Sequence, residues 1–311
     1  MLRKPLWIVA RHGRLCLVLG LAAGLLLPET AAALAQWLPF LVAGLLAITA
    51  FRIGHNAAFG AITDLPAGIA AVIVLQFILP LGFYLLCVAL GVSHTAAGLA
   101  LVLVTAAPAL SGSPNLALML GLDAGRMMQI MVLGTALFPF TVFPLLWLMP
   151  QLGDPHDVLA ASFRVMTVIV LSTVAGFGTR AICLPRPTAD QLKTTDGVAI
   201  LAFVAIVVAL MAALGPALRA DPWTLLAWMI FAFAISYGLQ VVGVLICGRR
   251  LAPIAGPVAL GAGNRNIALF LVALPPEVVA PIMIFVGCWQ MPMYLTPILL
   301  KTLYSQKAAH V

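Results

Sequence analysis

Charge is scarce in this sequence, and acid is scarcer than base. Of 311 residues, 8% are Asp, Glu, Lys or Arg and 64% are hydrophobic; the mean hydropathy is +1.16. That balance excludes a soluble globular domain and implies an integral membrane protein with several spans. The acidic residues Glu29, Asp64, Asp123, Asp154, Asp157, Asp190, Asp196, Asp221 and Glu277 all fall at the ends of apolar segments or in connections. No carboxylate stands in mid-span, which removes the acid pair an intramembrane hydrolase would use. H-E-x-x-H, G-x-S-x-G and P-loop patterns are also missing, so no enzyme is expected. Cysteine is limited to Cys16, Cys87, Cys183, Cys247 and Cys288, isolated and without C-x-x-C or metal-ligand spacing. They read as small apolar packers, and no metal or other cofactor is expected. The net charge of +7 comes from bases scattered one or two per loop, a topogenic pattern and not a nucleic-acid surface.

What is present is apolar sequence. Ten apolar segments run over roughly 12–27, 36–53, 66–90, 95–120, 126–149, 158–181, 196–215, 222–247, 253–274 and 278–303, close to the ~20 residues that cross a bilayer. Arg3, Lys4, Arg11 and Arg14 precede the first. Arg52, Arg126, then Arg180, Arg186 and Lys193, then Arg249 and Arg250, then Lys301 and Lys307 follow or end alternate segments. The intervening connections hold Glu29, Asp154, Asp157, Asp221 and Glu277, with Arg219 and Arg164 as their only bases. The basic side is expected to be cytoplasmic, with both termini inside and an even number of spans in the inner, or plasma, membrane. The first run imitates a signal peptide, but more spans follow, so it is expected to be an uncleaved helix. Five spans per half is an odd number, so the second half enters from the opposite side. This predicts inverted five-helix repeats over about 1–150 and 151–304, with a polar linker near 180–196 between helices six and seven. The tail from Ser305 to Val311 is expected to fray.

Two of the segments are interrupted at corresponding places in the two halves. One reads Pro108-Ala109-Leu110-Ser111-Gly112-Ser113-Pro114-Asn115; the other reads Pro253-Ile254-Ala255-Gly256-Pro257, then Gly261-Ala262-Gly263-Asn264-Arg265-Asn266. Such a pair points to a secondary transporter's binding site, because broken backbone survives at membrane depth only where protein buries it or a cavity receives it. Asn115 is either a helix cap or a cavity-lining amide. Ser111 and Ser113 offer hydroxyls to the same place or bond back to their own backbone. Arg265 lies well inside segment nine, where a charge costs about 2.5–3.5 kcal/mol by insertion scales. With no acid at that depth, its partners are carbonyls freed at the breaks, water, or an anionic ligand. Asn264 and Asn266 flank it. Gln76, four residues before Pro80, can line a cavity or reach the carbonyl that Pro80 leaves free. Thr135 is a further candidate for an ion or cavity role. Asp123 and Arg126 read as a solvated pair, His55 and His94 as exposed, and Met127, Met128 and Met131 as packing residues.

On Gln76-Phe77 with Pro80, Pro108 through Asn115, Pro139, and Gly261 through Ala268, the chain resembles the bile acid:sodium symporter family, within the broader group that includes arsenite and auxin carriers. The resemblance covers nearly the full length. It implies an all-α membrane fold of ten helices, arranged as core and panel domains with discontinuous helices four and nine crossing. Sodium-coupled members use a Glu and a Gln near the segment-nine break, an Asn of segment four and a Ser-x-x-x-Thr pair in segment five. Asn115 falls on that Asn. Met127 and Met131 stand at the Ser and Thr, Ala259 at the Glu and Gly263 at the Gln, while Gln76 keeps a further ligand type. A hard cation is poorly served by thioethers, and Arg265 adds positive charge where the family has a small residue.

The expected function is therefore secondary transport of small organic anions by alternating access, with a degraded sodium site. Asn115, Asn264, Arg265, Asn266, Ser111 and Ser113 would face the substrate, and Gln76 and Thr135 an ion or the cavity. The expected partners are an organic anion and the lipid bilayer, with no nucleic acid. Sodium symport through a rearranged site using Gln76, Asn115 and backbone carbonyls is the first alternative; a non-transporting membrane sensor is the second.

Overall fold

The computed structural model describes residues 3–54, 65–149, 155–247 and 252–308. Nearly all of them are helical. Among the described residues the β pairing consists of one isolated antiparallel bridge, between Ala109 and Arg265. Among the described residues six helices are long and apolar enough to cross a membrane, and up to eight spans result if each of two sharply bent pairs counts as one. The protein is thus all-α, with the apolar helices of a multi-pass membrane protein.

The elements are α1 (Arg3–Arg11), α2 (Gly13–Leu26), α3 (Pro28–Ala35) and α4 (Leu38–Ile53). Next come α5 (Leu65–Ala89), α6 (Ala96–Ala106), α7 (Ser113–Leu120), α8 (Ala124–Trp147) and α9 (Pro155–Cys183). The rest are α10 (Ala189–Ala220), α11 (Pro222–Cys247), α12 (Ala252–Gly263), α13 (Phe270–Ala273), α14 (Pro276–Leu299) and α15 (Lys301–Ala308). Helical elements occupy all ten apolar segments, and segments four and nine are each split in two.

Local chemistry sets several ends. Thr95 caps α6 by accepting the Gly98 N–H at 3.1 Å. Thr188 and Gln191 form a capping box at the start of α10. That start shortens the expected 180–196 linker to residues 184–188, because α9 runs on to Cys183 and α10 begins at Ala189. Asp123 accepts the Arg126 backbone N–H at 3.0 Å and so caps α8. The Ser305–Val311 tail is helical through Ala308, continuing α15, on which Tyr304, just before the tail, is only 2% exposed. The residues before segment one are also helical: α1 meets α2 at 89°. Pro253 and Pro257 do not break segment nine, since α12 passes through both and ends at Gly263. His94 is exposed and Met127 and Met131 are buried, as their sequence settings imply. His55, Asp64, Asp154, Arg249 and Arg250 lie outside the described residues, as do the side chains of Asp157, Cys247, Pro253 and Lys307.

The chain divides into two compact units, each drawn from both halves: Met1–Phe59 with Thr167–Leu226, and Gly60–Met166 with Ala227–Val311. In the first, α1 to α4 pack along α10. Arg52 Nε lies 2.6 Å from Asp196 Oδ1, the one ion pair among the described residues. Arg180 Nη1 donates to the Phe51 and Arg52 carbonyls and closes the C-terminal end of α4. The second unit holds both broken segments and is the more instructive for function.

Candidate functional site

The two breaks meet. Residues 107–112 separate α6 from α7, and residues 264–266 separate α12 from the 3-10 turn Ile267–Leu269 that leads into α13. Backbone pairs join them: Leu110 N–H donates to Asn264 O at 2.9 Å and Asn266 N–H to Pro108 O at 2.8 Å. Extended backbone at the crossing thus answers part of its own hydrogen-bonding demand, which lipid could not do.

Arg265 sits inside this crossing at 1% exposure. Its Nε donates to Ala262 O at 3.0 Å, Nη1 to Ala107 O at 3.0 Å and Nη2 to Leu75 O at 2.9 Å. Each acceptor is a carbonyl that a helix has let go. Ala107 caps the C-terminal end of α6, and Ala262 lies in the last turn of α12. Leu75 belongs to a π turn, Val74–Ile78, in which Leu79 N–H reaches back five residues to Val74 O. In that register Pro80, lacking an N–H, leaves Leu75 O without a helical donor. Gln76 therefore does not take the carbonyl freed by Pro80; the guanidinium does. Two helix C-termini contribute about half a negative charge each, which together match one guanidinium. No carboxylate pairs with Arg265 among the described residues. Its own carbonyl accepts Trp289 Nε1–H at 3.1 Å, so the backbone of the charge is also fixed.

The remaining candidates divide into buried and accessible sets. Ser113 is fully buried and its hydroxyl donates to Leu110 O at 2.6 Å. Asn264 is fully buried and Nδ2 donates to Leu260 O at 2.9 Å, while its Oδ1 has no partner. Gln76, 2% exposed, likewise has an unpaired Oε1. Thr135 bonds back to Met131 O at 2.8 Å. By contrast Asn115 is exposed on α7, and Ser111, Gly112 and Asn266 are half-buried. The Ser111 and Gly112 N–H groups have no backbone acceptor among the described residues. The crossing therefore has a closed interior built on Arg265 and Asn264, and an open rim of donors at Ser111, Gly112, Asn115 and Asn266.

A polar chain behind the crossing escaped the sequence reading. Ser236 Oγ donates to Gly263 O at 2.8 Å, answering the last carbonyl of α12. Gln240 Nε2 reaches Ser236 and Thr296 Oγ1, and Tyr304 OH donates to Gln240 Oε1 at 2.9 Å. The signal was available: Ser236 and Gln240, four apart in an apolar helix, share one face. Gly263 is tied to this arrangement, because a Cβ there would lie 2.5 Å from Gln240 Cγ and closer still to the Ser236 carbonyl oxygen. Gly263→Ala should cost about 1–3 kcal/mol by overpacking. Gly261→Ala, whose nearest neighbour is Met127 Cε, the far end of an unbranched side chain, at 3.3 Å, should cost less than about 1 kcal/mol. Thermal unfolding of the two variants checks the contrast.

No protein-family model and no curated protein matches the chain.

Proposed function

We propose that the protein is a ten-helix secondary carrier of small organic anions that works by alternating access without sodium. The observation that carries this reading is the guanidinium of Arg265 closed on three carbonyls where two broken helices cross. In carriers built this way, unwound carbonyls and half-helix C-termini hold the coupling cation. Here a tethered cation of the chain itself occupies that position. It is tethered to the chain, so the crossing needs no separate ion to hold it together. Arg265 acts as a brace, and the substrate meets the rim: the Ser111 and Gly112 N–H groups, the Ser111 hydroxyl, Asn115 and Asn266. Those are neutral donors beside a fixed positive charge, suited to a carboxylate or similar anion. The two contact units, each drawn from both halves of the chain, support a core-and-panel organisation. The paired breaks support inverted repeats.

Uptake of a panel of labelled mono- and dicarboxylates into proteoliposomes tests the reading. We expect at least one anion to accumulate or exchange at equal rates in sodium and in choline buffers. Transport that stops when choline replaces sodium would favour symport. One observation favours that second reading: the unpaired buried oxygens of Gln76 and Asn264 are hard ligands of the kind a small cation takes.

A further inference from the structure

The charges of the first unit gather at one end. Arg3, Lys4, Arg11, Arg14, Arg52, Arg180, Arg186 and Lys193 belong to α1, the start of α2, the ends of α4 and α9, the connection that follows α9, and the first turns of α10; only Asp190 and Asp196 join them there. Asp196 is already paired with Arg52. The remaining charges of the unit, Glu29, Arg219 and Asp221, belong to other turns: α3, the end of α10 and the residue after it. The basic end also has a defined depth. α10 has 32 residues, about 48 Å of helix, against a hydrocarbon core of about 30 Å. Its polar first turns, Asp190 to Asp196, must therefore stand in the headgroup layer.

α1 is fastened at that level. Trp7 Nε1–H donates to Thr194 Oγ1 at 3.0 Å, and Lys193 Nζ lies 5.3 Å from the centroid of the Trp7 ring. The Leu6 backbone presses on Gly197, where a side chain would not fit. α1 bends 89° from α2, so an α2 that enters the bilayer sets α1 across the bilayer normal. Its outer stripe, at i, i+4 and i+7, is Lys4, Ile8 and Arg11. Lys4 and Arg11 are exposed and make no ion pair among the described residues, and Ile8 is 62% exposed between them. Two ammonium or guanidinium groups flanking an apolar wedge, on a helix lying in the headgroup plane, form the pattern of an interfacial anchor.

We propose that α1 binds anionic phospholipid headgroups through Lys4 and Arg11 while Ile8 enters the acyl boundary, so that this end of the protein depends on acidic lipid. Each base near an anionic surface adds to the attraction, and the partner is chosen by charge: zwitterionic lipid offers no net complement. The inference does not rest on the transport reading.

The test uses the full-length protein in nanodiscs of phosphatidylcholine alone or with phosphatidylglycerol. The wild type should unfold about 4 °C or more higher in the acidic discs, and native mass spectrometry should retain phosphatidylglycerol on it. Lys4→Glu with Arg11→Glu should abolish both effects, and the neutral pair Lys4→Gln with Arg11→Gln should reduce them. Arg219→Glu should leave both intact. Inorganic phosphate added to neutral discs should not substitute. Equal stability in the two lipids, unchanged lipid retention in the charge-reversed variant, or full replacement by free phosphate would each overturn the proposal.

Discussion

Replacing Arg265 by glycine should lower the unfolding temperature by on the order of 10 °C, the scale set by about 3–5 kcal/mol for removing one member of a buried charged network. Three carbonyls, those of Leu75, Ala107 and Ala262, lose their donors at once. They sit where two helix C-termini converge, so their mutual repulsion is no longer answered. Because the hole left has the shape of a planar fork, guanidinium ion at millimolar concentration should restore part of the loss. Methylammonium, a point charge, should restore less. Arg265→Lys should fall between, keeping charge but not the three-way geometry. A differential scan of these variants with each additive checks the result. Equal rescue by both ions would mean that charge alone matters; no destabilisation would mean that the fork is not the brace.

Asn115→Ala should reduce transport efficiency roughly ten- to hundredfold, the worth of one hydrogen bond to a charged group at about 1.5–3 kcal/mol. It should leave the unfolding temperature nearly unchanged, because Asn115 is exposed. Asn266→Ala should lose transport similarly. Its N–H bond to Pro108 O belongs to the backbone and survives the substitution. Asn264→Ala should behave in the opposite sense, with stability falling first, since that side chain is fully buried on Leu260 O. Parallel measurement of uptake and thermal unfolding separates the rim from the interior. A stability loss in Asn115→Ala equal to that in Asn264→Ala would erase the distinction.

The crossing was legible in the sequence because glycine, proline and polar residues have few other reasons to interrupt apolar segments in both halves. The buried Arg265 was legible for the same reason: no acid lay at its depth, which left carbonyls among its few partners. Less visible was which carbonyls. The π turn at Val74–Ile78 shifts the vacancy made by Pro80 from Gln76 to Leu75, and register at that level depends on packing. Pro257 was misleading, because a proline inside α12 is tolerated where neighbouring helices meet the freed groups. The hydroxyl of Thr135 turned to its own helix and that of Ser113 to the Leu110 carbonyl in the break, a local competition that residue type alone does not decide. α1 lies outside the ten apolar segments because its bases look topogenic, although its apolar and basic stripes are present in the sequence.

The most direct test of the central claim is the ion dependence of wild-type unfolding, with sodium chloride exchanged for choline chloride at constant ionic strength. If Arg265 occupies the cation's place between the broken helices, the two unfolding curves should superimpose at every concentration. Saturable stabilisation by sodium, absent in choline, would show an ion still bound at the crossing and would contradict the account.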